Sequence, residues 1–240
     1  MANSFFQFKQ FTIHQDHCAM KVSTDSCLFG AWLSKMILPN LSSVNHALDI
    51  GAGTGLLMLM VAQHHSFKID GIEINEAAYK QALSNINHSP WSNQFLLING
   101  DVKKYSFGRK YDFIFSNPPF YEKDVLPVAH SKASAMHDST LNFELLVDAV
   151  HNHLHVDGCF ALLIPYHRVS YLNALANSKG FFMQQVVHVQ HKESHDFIRS
   201  MVLLNRNNAE MLTDIITIKE KDGTYTSAFT GFLQDYYLFL

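Results

Sequence analysis

The stretch Asp49-Ile50-Gly51-Ala52-Gly53-Thr54-Gly55-Leu56 decides the fold. It follows an apolar, strand-forming run at 45–50 and leads into Leu57-Met58-Leu59-Met60-Val61-Ala62, so it stands where a strand hands the chain to a helix. Glycines, lacking side chains, let the backbone turn sharply and let a ligand approach it closely. The spacing is G-x-G-x-G, shorter than the G-x-G-x-x-G of dinucleotide sites.

Outward from this turn, strand-like and helix-like segments alternate. Strands are predicted at 45–50, 67–73, 94–99, 111–116 and 159–165, and helices at 54–64, 76–87, 142–155 and 169–178. Such alternation is the signature of a doubly wound parallel sheet. The sheet then changes character. Runs 183–190 and 197–204 are joined by a polar segment too short for a helix, which predicts an antiparallel hairpin. The expected fold is α/β and Rossmann-like: a seven-stranded, mostly parallel sheet ending in that hairpin, with helices on both faces.

The flanks read as additions to one domain spanning 1–240. Residues 1–40 form an N-terminal extension, with 5–15 extended or a hairpin and a cap helix at 26–37 started by Ser23-Thr24-Asp25. The catalytic core is 44–206. In the remaining 207–240, segments 215–219 and 225–229 flank Asp222-Gly223, a hairpin signal, and an aromatic tail at 232–240 packs on it.

With 48% hydrophobic residues, the chain fills a core without disulfides. Its three cysteines are odd in number and form no C-x-x-C pair, which points to a reducing compartment and away from structural zinc. The start lacks a signal-peptide layout. The apolar run 56–62 is far short of the roughly 20 residues a membrane helix needs. A cytoplasmic protein is the expectation. The net charge of −3 weighs against a nucleic-acid coating protein, but an RNA enzyme needs only a local positive surface. The fifteen histidines are scattered without metal spacing, so no metal is expected.

The chemistry divides into two halves. In the first, Gly51, Gly53 and Gly55 cradle a nucleoside cofactor. With Asp49 in front, near the cofactor's amino-acid end, they fit S-adenosyl-L-methionine (AdoMet) better than NAD. Glu73 ends the second strand about 20 residues past the turn, where a carboxylate accepts from both ribose hydroxyls. Asp101 ends the third strand and can accept from the adenine amino group. Alone, each is more often a plain turn or a solvated cap. Together they lie at successive strand ends on the carboxyl edge, where open α/β sheets bind ligands.

The second half is Asn117-Pro118-Pro119-Phe120, at the end of the fourth strand. The lone pair of a ring-conjugated amine is delocalised, so methyl transfer is helped by acceptors aimed at its two N–H protons. The Asn117 side-chain oxygen and the Pro118 carbonyl suit that role. Pro119 stiffens the corner, and Phe120 can stack on a planar base. No strong base is needed, because the proton turns acidic once the methyl has moved. Taken alone, Asn-Pro-Pro is a strand terminator. The long loop 121–140 reads either as a lid whose Lys123, His130, Lys132 and His137 meet phosphates or as a solvated loop.

These residues resemble a known family. Gly51-Ala52-Gly53-Thr54-Gly55-Leu56 with the Asn-Pro-Pro-Phe corner is similar to class I amino-methyltransferases, whose strand order closes with such a hairpin. Four further blocks narrow the match: Phe8-Lys9-Gln10-Phe11, Met20-Lys21-Val22-Ser23-Thr24-Asp25, Leu28-Phe29-Gly30-Ala31-Trp32, and Ile218-Lys219-Glu220-Lys221-Asp222-Gly223 with Tyr236-Tyr237-Leu238. Nearly end to end, the chain resembles the bacterial tRNA(Val) adenine-N6 methyltransferases, which act on adenine 37 beside the anticodon. The resemblance implies AdoMet as cofactor and tRNA as partner, through the tRNA(Val) anticodon stem-loop, with no membrane and no obligate protein partner. It also implies that Lys21 and Thr24 help close the cofactor site. The chain departs from the family at Met136, where an arginine is expected, and at Phe120, where many relatives carry tyrosine. Methylation of another planar amine stays open as an alternative: guanine N2 of ribosomal RNA, or a protein glutamine.

Overall fold

The computed structural model describes residues 3–18, 20–41, 43–119 and 142–240. An eight-stranded sheet carries the fold. Its strands are β3 (His46–Ile50), β4 (Lys68–Glu73), β5 (Phe95–Asn99), β6 (Tyr111–Ser116), β7 (Leu154–Pro165), β8 (Phe182–Gln190), β9 (Phe197–Asn205) and β10 (Leu212–Thr217), in the order β10-β8-β9-β7-β6-β3-β4-β5. The strands from β7 to β5 are parallel, β9 runs antiparallel to both β7 and β8, and β10 lies parallel to β8. A small hairpin, β1 (Phe5–Gln7) and β2 (Thr12–His14), stands apart from this sheet.

The central strands are buried on both faces and so read as unbroken apolar runs. Successive side chains serve opposite cores. Phe113, Phe115, Val187 and Met201 pack with α1 (Thr24–Trp32), α2 (Leu56–Ala62), α3 (Glu76–Asn87) and α6 (Ser227–Leu233). Ile114, Leu162, Val186 and Val202 face α4 (Phe143–His153) and α5 (Val169–Ser178). The mostly parallel sheet, its antiparallel hairpin and its two helical layers agree with the sequence.

Several helices start on side chains that the sequence displays. Asn75 accepts from the Ala78 N–H and Asn142 from the Leu145 N–H, each at 2.9 Å. Such caps contribute about 1 kcal/mol each. The expected helix 26–37 starts earlier, at Thr24, and changes after Trp32 into a π-helical turn, Leu33–Ile37.

Two expectations need correction. The sheet has eight strands rather than seven, and the C-terminal hairpin shrinks to one bridge, Lys219 to Tyr225. Its first arm belongs to β10, which pairs with β8 as a new edge. Its second arm is diverted by Thr226, whose hydroxyl donates to the Thr217 carbonyl at 2.6 Å and accepts from the Phe229 N–H at 3.1 Å. That cap starts α6, which buries Phe229 and Leu233. Burial of an aromatic and a leucine against α1 outweighs the turn preference of Asp222-Gly223. Among the described residues, no helix is long and apolar enough to cross a membrane.

Candidate active site

β3 and β6 are neighbours, with Asp49 opposite Phe115. Two residues further along each chain stand Gly51 and Asn117, at the mouths of adjacent strands about 4.8 Å apart in the hydrogen-bonding direction. The Ser116 hydroxyl donates to the Ile50 carbonyl at 2.6 Å and fastens the two strand ends together.

On the β3 side, Gly51, Gly53 and Gly55 all have positive φ, at 77°, 56° and 80°. Other residues avoid this region. The turn is tied down: the Gly51 N–H donates to the Ile72 carbonyl at 2.9 Å, and the Gly53 N–H donates to Glu73 Oε2 at 2.9 Å. A Cβ placed on Gly51 meets no protein atom within 4 Å, so open space lies before the turn.

Asp49 is 1% exposed. Among the described residues, neither of its carboxylate oxygens has a hydrogen-bond partner. Burial, then the negative charge of Glu73, pushes its pKa well above the carboxylate range. An unpartnered carboxyl behind an open glycine cradle fits a cationic ligand group. The α-ammonium of AdoMet is such a group, so the residues present suit that cofactor.

Glu73 is occupied in a way the sequence does not display. Oε2 holds Gly53, and Oε1 accepts from the Asn75 N–H at 2.9 Å. A carboxylate has about four lone-pair sites, which leaves two for hydroxyl donors. Asp101, just past β5, turns toward its own backbone. Its Oδ1 accepts from the Lys103 N–H at 3.0 Å, and Oδ2 faces the Lys103 ammonium at 3.6 Å.

The N-terminal extension reaches the glycine turn through Cys18. The Cys18 thiol points at the Gly53 carbonyl from 3.9 Å, and burial with the Glu73 charge raises its pKa to about 11. It is therefore a neutral thiol at physiological pH. Lys21 and Thr24 are exposed; Thr24 begins α1 and lines a neighbouring cleft. Asn85 of α3 clasps both layers, donating to the Thr54 carbonyl and to the His14 carbonyl at 2.9 Å each. Cys18 and Asn85 carry no motif, so spacing alone does not find them.

On the β6 side, Asn117 Nδ2 donates to Ser26 Oγ at 3.0 Å. Ser26 is buried in the first turn of α1 and shares a 2.6 Å hydrogen bond with the Ser23 hydroxyl. With its nitrogen held, the Asn117 amide presents Oδ1 as its acceptor. Pro118 is buried and Pro119 exposed. Phe120, Met136 and the loop residues Lys123, His130, Lys132 and His137 lie outside the described residues. Among the described residues, no cluster of metal-ligating side chains occurs.

A doubly wound sheet closed by an antiparallel hairpin, with a glycine cradle and an Asn-Pro-Pro corner at neighbouring strand mouths, defines a class I methyltransferase. Residues 30–177 match the methyltransferase small domain family. The chain is 37% identical to the tRNA1(Val) (adenine(37)-N6)-methyltransferase of Dyadobacter fermentans, over 98% of each sequence. It is 35% identical to the protein of the same name from Trichodesmium erythraeum, over 99% of each. In three dimensions it resembles a predicted O-methyltransferase of Agrobacterium tumefaciens, with a TM-score of 0.66 at 13% identity, covering 88% of this chain and 96% of that one. The chain belongs to the tRNA1(Val) (adenine(37)-N6)-methyltransferase family. AdoMet is the methyl donor of this class.

Proposed function

We propose that this protein transfers a methyl group from AdoMet to the exocyclic N6 of adenine 37, next to the anticodon of tRNA(Val). The relatives named for that reaction match the chain over nearly its whole length. When bound, AdoMet supplies an electrophilic sulfonium methyl. The residues would do the rest. Asp49 binds a cationic group of the donor, Glu73 accepts from ribose hydroxyls, and Asp101 accepts from the adenine ring's amino group. Gly51, Gly53 and Gly55 let the ligand approach the turn, with Lys21 and Thr24 on the N-terminal side.

At the other strand mouth, Asn117 Oδ1 and the Pro118 carbonyl accept the two N–H protons of the substrate amine, favouring the pyramidal nitrogen that forms as charge develops. Pro119 fixes the corner, and Phe120 stacks on the flipped base. The observation that best supports this reading is the Asn117 amide anchored through its nitrogen to Ser26, so that its oxygen is the group on offer. The partner is tRNA, through the tRNA(Val) anticodon stem-loop, and one domain spanning 1–240 does this work in the cytoplasm.

Labelled AdoMet is offered with unmodified tRNA(Val), ribosomal RNA and release-factor protein as acceptors. The expected result is label in tRNA(Val) alone. Label in ribosomal RNA or in protein glutamine, with none in the tRNA, would sink the proposal.

A further inference from the structure

Beside the catalytic corner lies a second cleft, with a volume of about 470 Å³, lined by Thr24, Asp25, His191, Arg199, Lys219 and Tyr225, with Ile198 at its wall. Neither the glycine turn nor Asn117 lines it, and its link to the corner runs through the start of α1. Ser26 holds Asn117, and the preceding residue, Asp25, accepts from Arg199 Nε at 3.1 Å. The first turn of α1 therefore grips the cleft with one residue, Asp25, and the corner with the next, Ser26. In the sheet, Arg199 sits opposite Pro165, the last residue of β7, and β7 pairs with β6. Arg199 thus lies two strands away from β6, which carries the corner, at about 10 Å in the hydrogen-bonding direction of the sheet.

Its two permanent cations are held in place before any ligand arrives. Asp25 fixes Arg199 through Nε, and Arg199 Nη1 donates to the Ile198 carbonyl at 3.2 Å, which leaves Nη2 free to donate among the described residues. Lys219 holds its ammonium 5.2 Å from the Tyr225 ring centre, and that ring is backed by Phe229 at 4.7 Å. The Lys219 N–H donates to the His191 carbonyl at 2.9 Å, joining the two walls. Ile198 and Tyr225, 43% and 38% exposed, add an apolar side. Of the charged lining residues, the one carboxylate is already engaged by Arg199.

Ordered cations around an apolar wall suit a phosphodiester with its sugar, and a site of this size holds one nucleotide. The chain as a whole carries net charge −3, so attraction to a polyanion must come from local features such as this one. We propose that the cleft is a phosphate subsite for a nucleotide of the RNA strand flanking the methylated adenine, with Lys219 and Arg199 as its phosphate contacts. This rests on the RNA-methyltransferase reading above.

The test measures binding of an unmodified tRNA(Val) anticodon stem-loop by fluorescence anisotropy across a salt series, alongside AdoMet binding by calorimetry and steady-state methylation. Lys219→Glu should weaken RNA binding by about tenfold or more, and Lys219→Ala should reduce the slope of log affinity against log salt by about one. Lys219→Arg should restore binding. AdoMet affinity, melting temperature and kcat at saturating RNA should stay at wild-type values, with the loss confined to KM for RNA. The control, Lys68→Glu at the amino end of the sheet, makes the same charge change far from the cleft and should leave RNA binding unaltered. Wild-type-like binding by Lys219→Glu and Arg199→Gln, or an equal loss in Lys68→Glu, overturns the subsite alone. A wild-type enzyme that neither binds nor methylates the RNA overturns the underlying reading as well.

Discussion

Asn117 donates its amide nitrogen to the hydroxyl of Ser26 at 3.0 Å, across 91 positions of sequence. An asparagine amide can point either end at a ligand, and this contact selects the oxygen. Ser26→Ala removes the anchor without touching substrate. We expect kcat to fall about fivefold, the effect of roughly 1 kcal/mol for one orienting hydrogen bond, with AdoMet affinity unchanged. In an Asn117→Ala background the same change should have no further effect on kcat, because the serine then has nothing to orient. Additive losses in the double variant would place the role of Ser26 elsewhere.

Asp49 carries the opposite kind of tension. Its folded pKa is raised by burial and by Glu73, so the folded protein without ligand holds a proton that the unfolded chain releases. Stability associated with Asp49 is therefore fully present below the unfolded carboxylate pKa and lost as pH rises through the raised folded value. Asp49→Asn should raise the melting temperature of the ligand-free protein at pH 8 and leave it nearly unchanged at pH 4. AdoMet affinity should drop about 30-fold or more, the effect of roughly 2 kcal/mol when a buried charge pair loses one partner. A thermal melt at both pH values, with calorimetry at pH 8, checks both signs.

Gly51 separates stability from binding in another way. Alanine there meets no protein atom but must adopt a φ of 77°. The fold should lose about 1–2 kcal/mol, the cost of a left-handed non-glycine residue. Its methyl group would project into the open space before the turn, so AdoMet binding should fall by more than that stability loss. Equal losses in denaturant melts and in calorimetry would mean that the cradle does not face the cofactor.

A buried pair holds the middle of the sheet. The Tyr111 hydroxyl donates to Asp70 Oδ2 at 2.7 Å, joining β6 to β4 across β3. Burial, with the Asp70 carboxylate beside it, raises the pKa of Tyr111 far above the usual phenol value. Tyr111→Phe should destabilise the protein by about 1–3 kcal/mol, since it strands a buried acceptor. Urea unfolding with an unchanged m-value, and kcat per folded molecule unaltered, is the expected outcome.

The sheet was legible because its signals are local. Glycines at 51, 53 and 55, apolar runs such as 111–116 and the short polar link 191–196 each dictate conformation within a few residues. The edge was not legible in the same way. Ile215 and Tyr225 flank a good turn, yet β10 follows β8, and Thr226 caps a helix because Phe229 and Leu233 find a buried surface. Site geometry divides along the same line. The Asn117 corner and the Asp49 cradle show themselves as motifs. Ser26, Cys18 and Asn85 act through contacts made only in three dimensions, and no spacing rule points to them. The inward turn of Asp101 toward Lys103 is likewise a product of local backbone geometry rather than residue type.

On the proposed reading, a donor cradle at Gly51 and an acceptor corner at Asn117 serve one methyl transfer to adenine N6. The direct measurement is nucleoside and fragment mass spectrometry of tRNA(Val) after incubation with AdoMet and either wild-type enzyme or Asn117→Ala. The expected product with the wild type is N6-methyladenosine at position 37. With Asn117→Ala the rate should be lower by about 10²–10³, typical for loss of one group stabilising developing charge, while AdoMet binding is retained. Methylation at wild-type rate by Asn117→Ala, or a methyl group on any other atom of the tRNA, would contradict this reading.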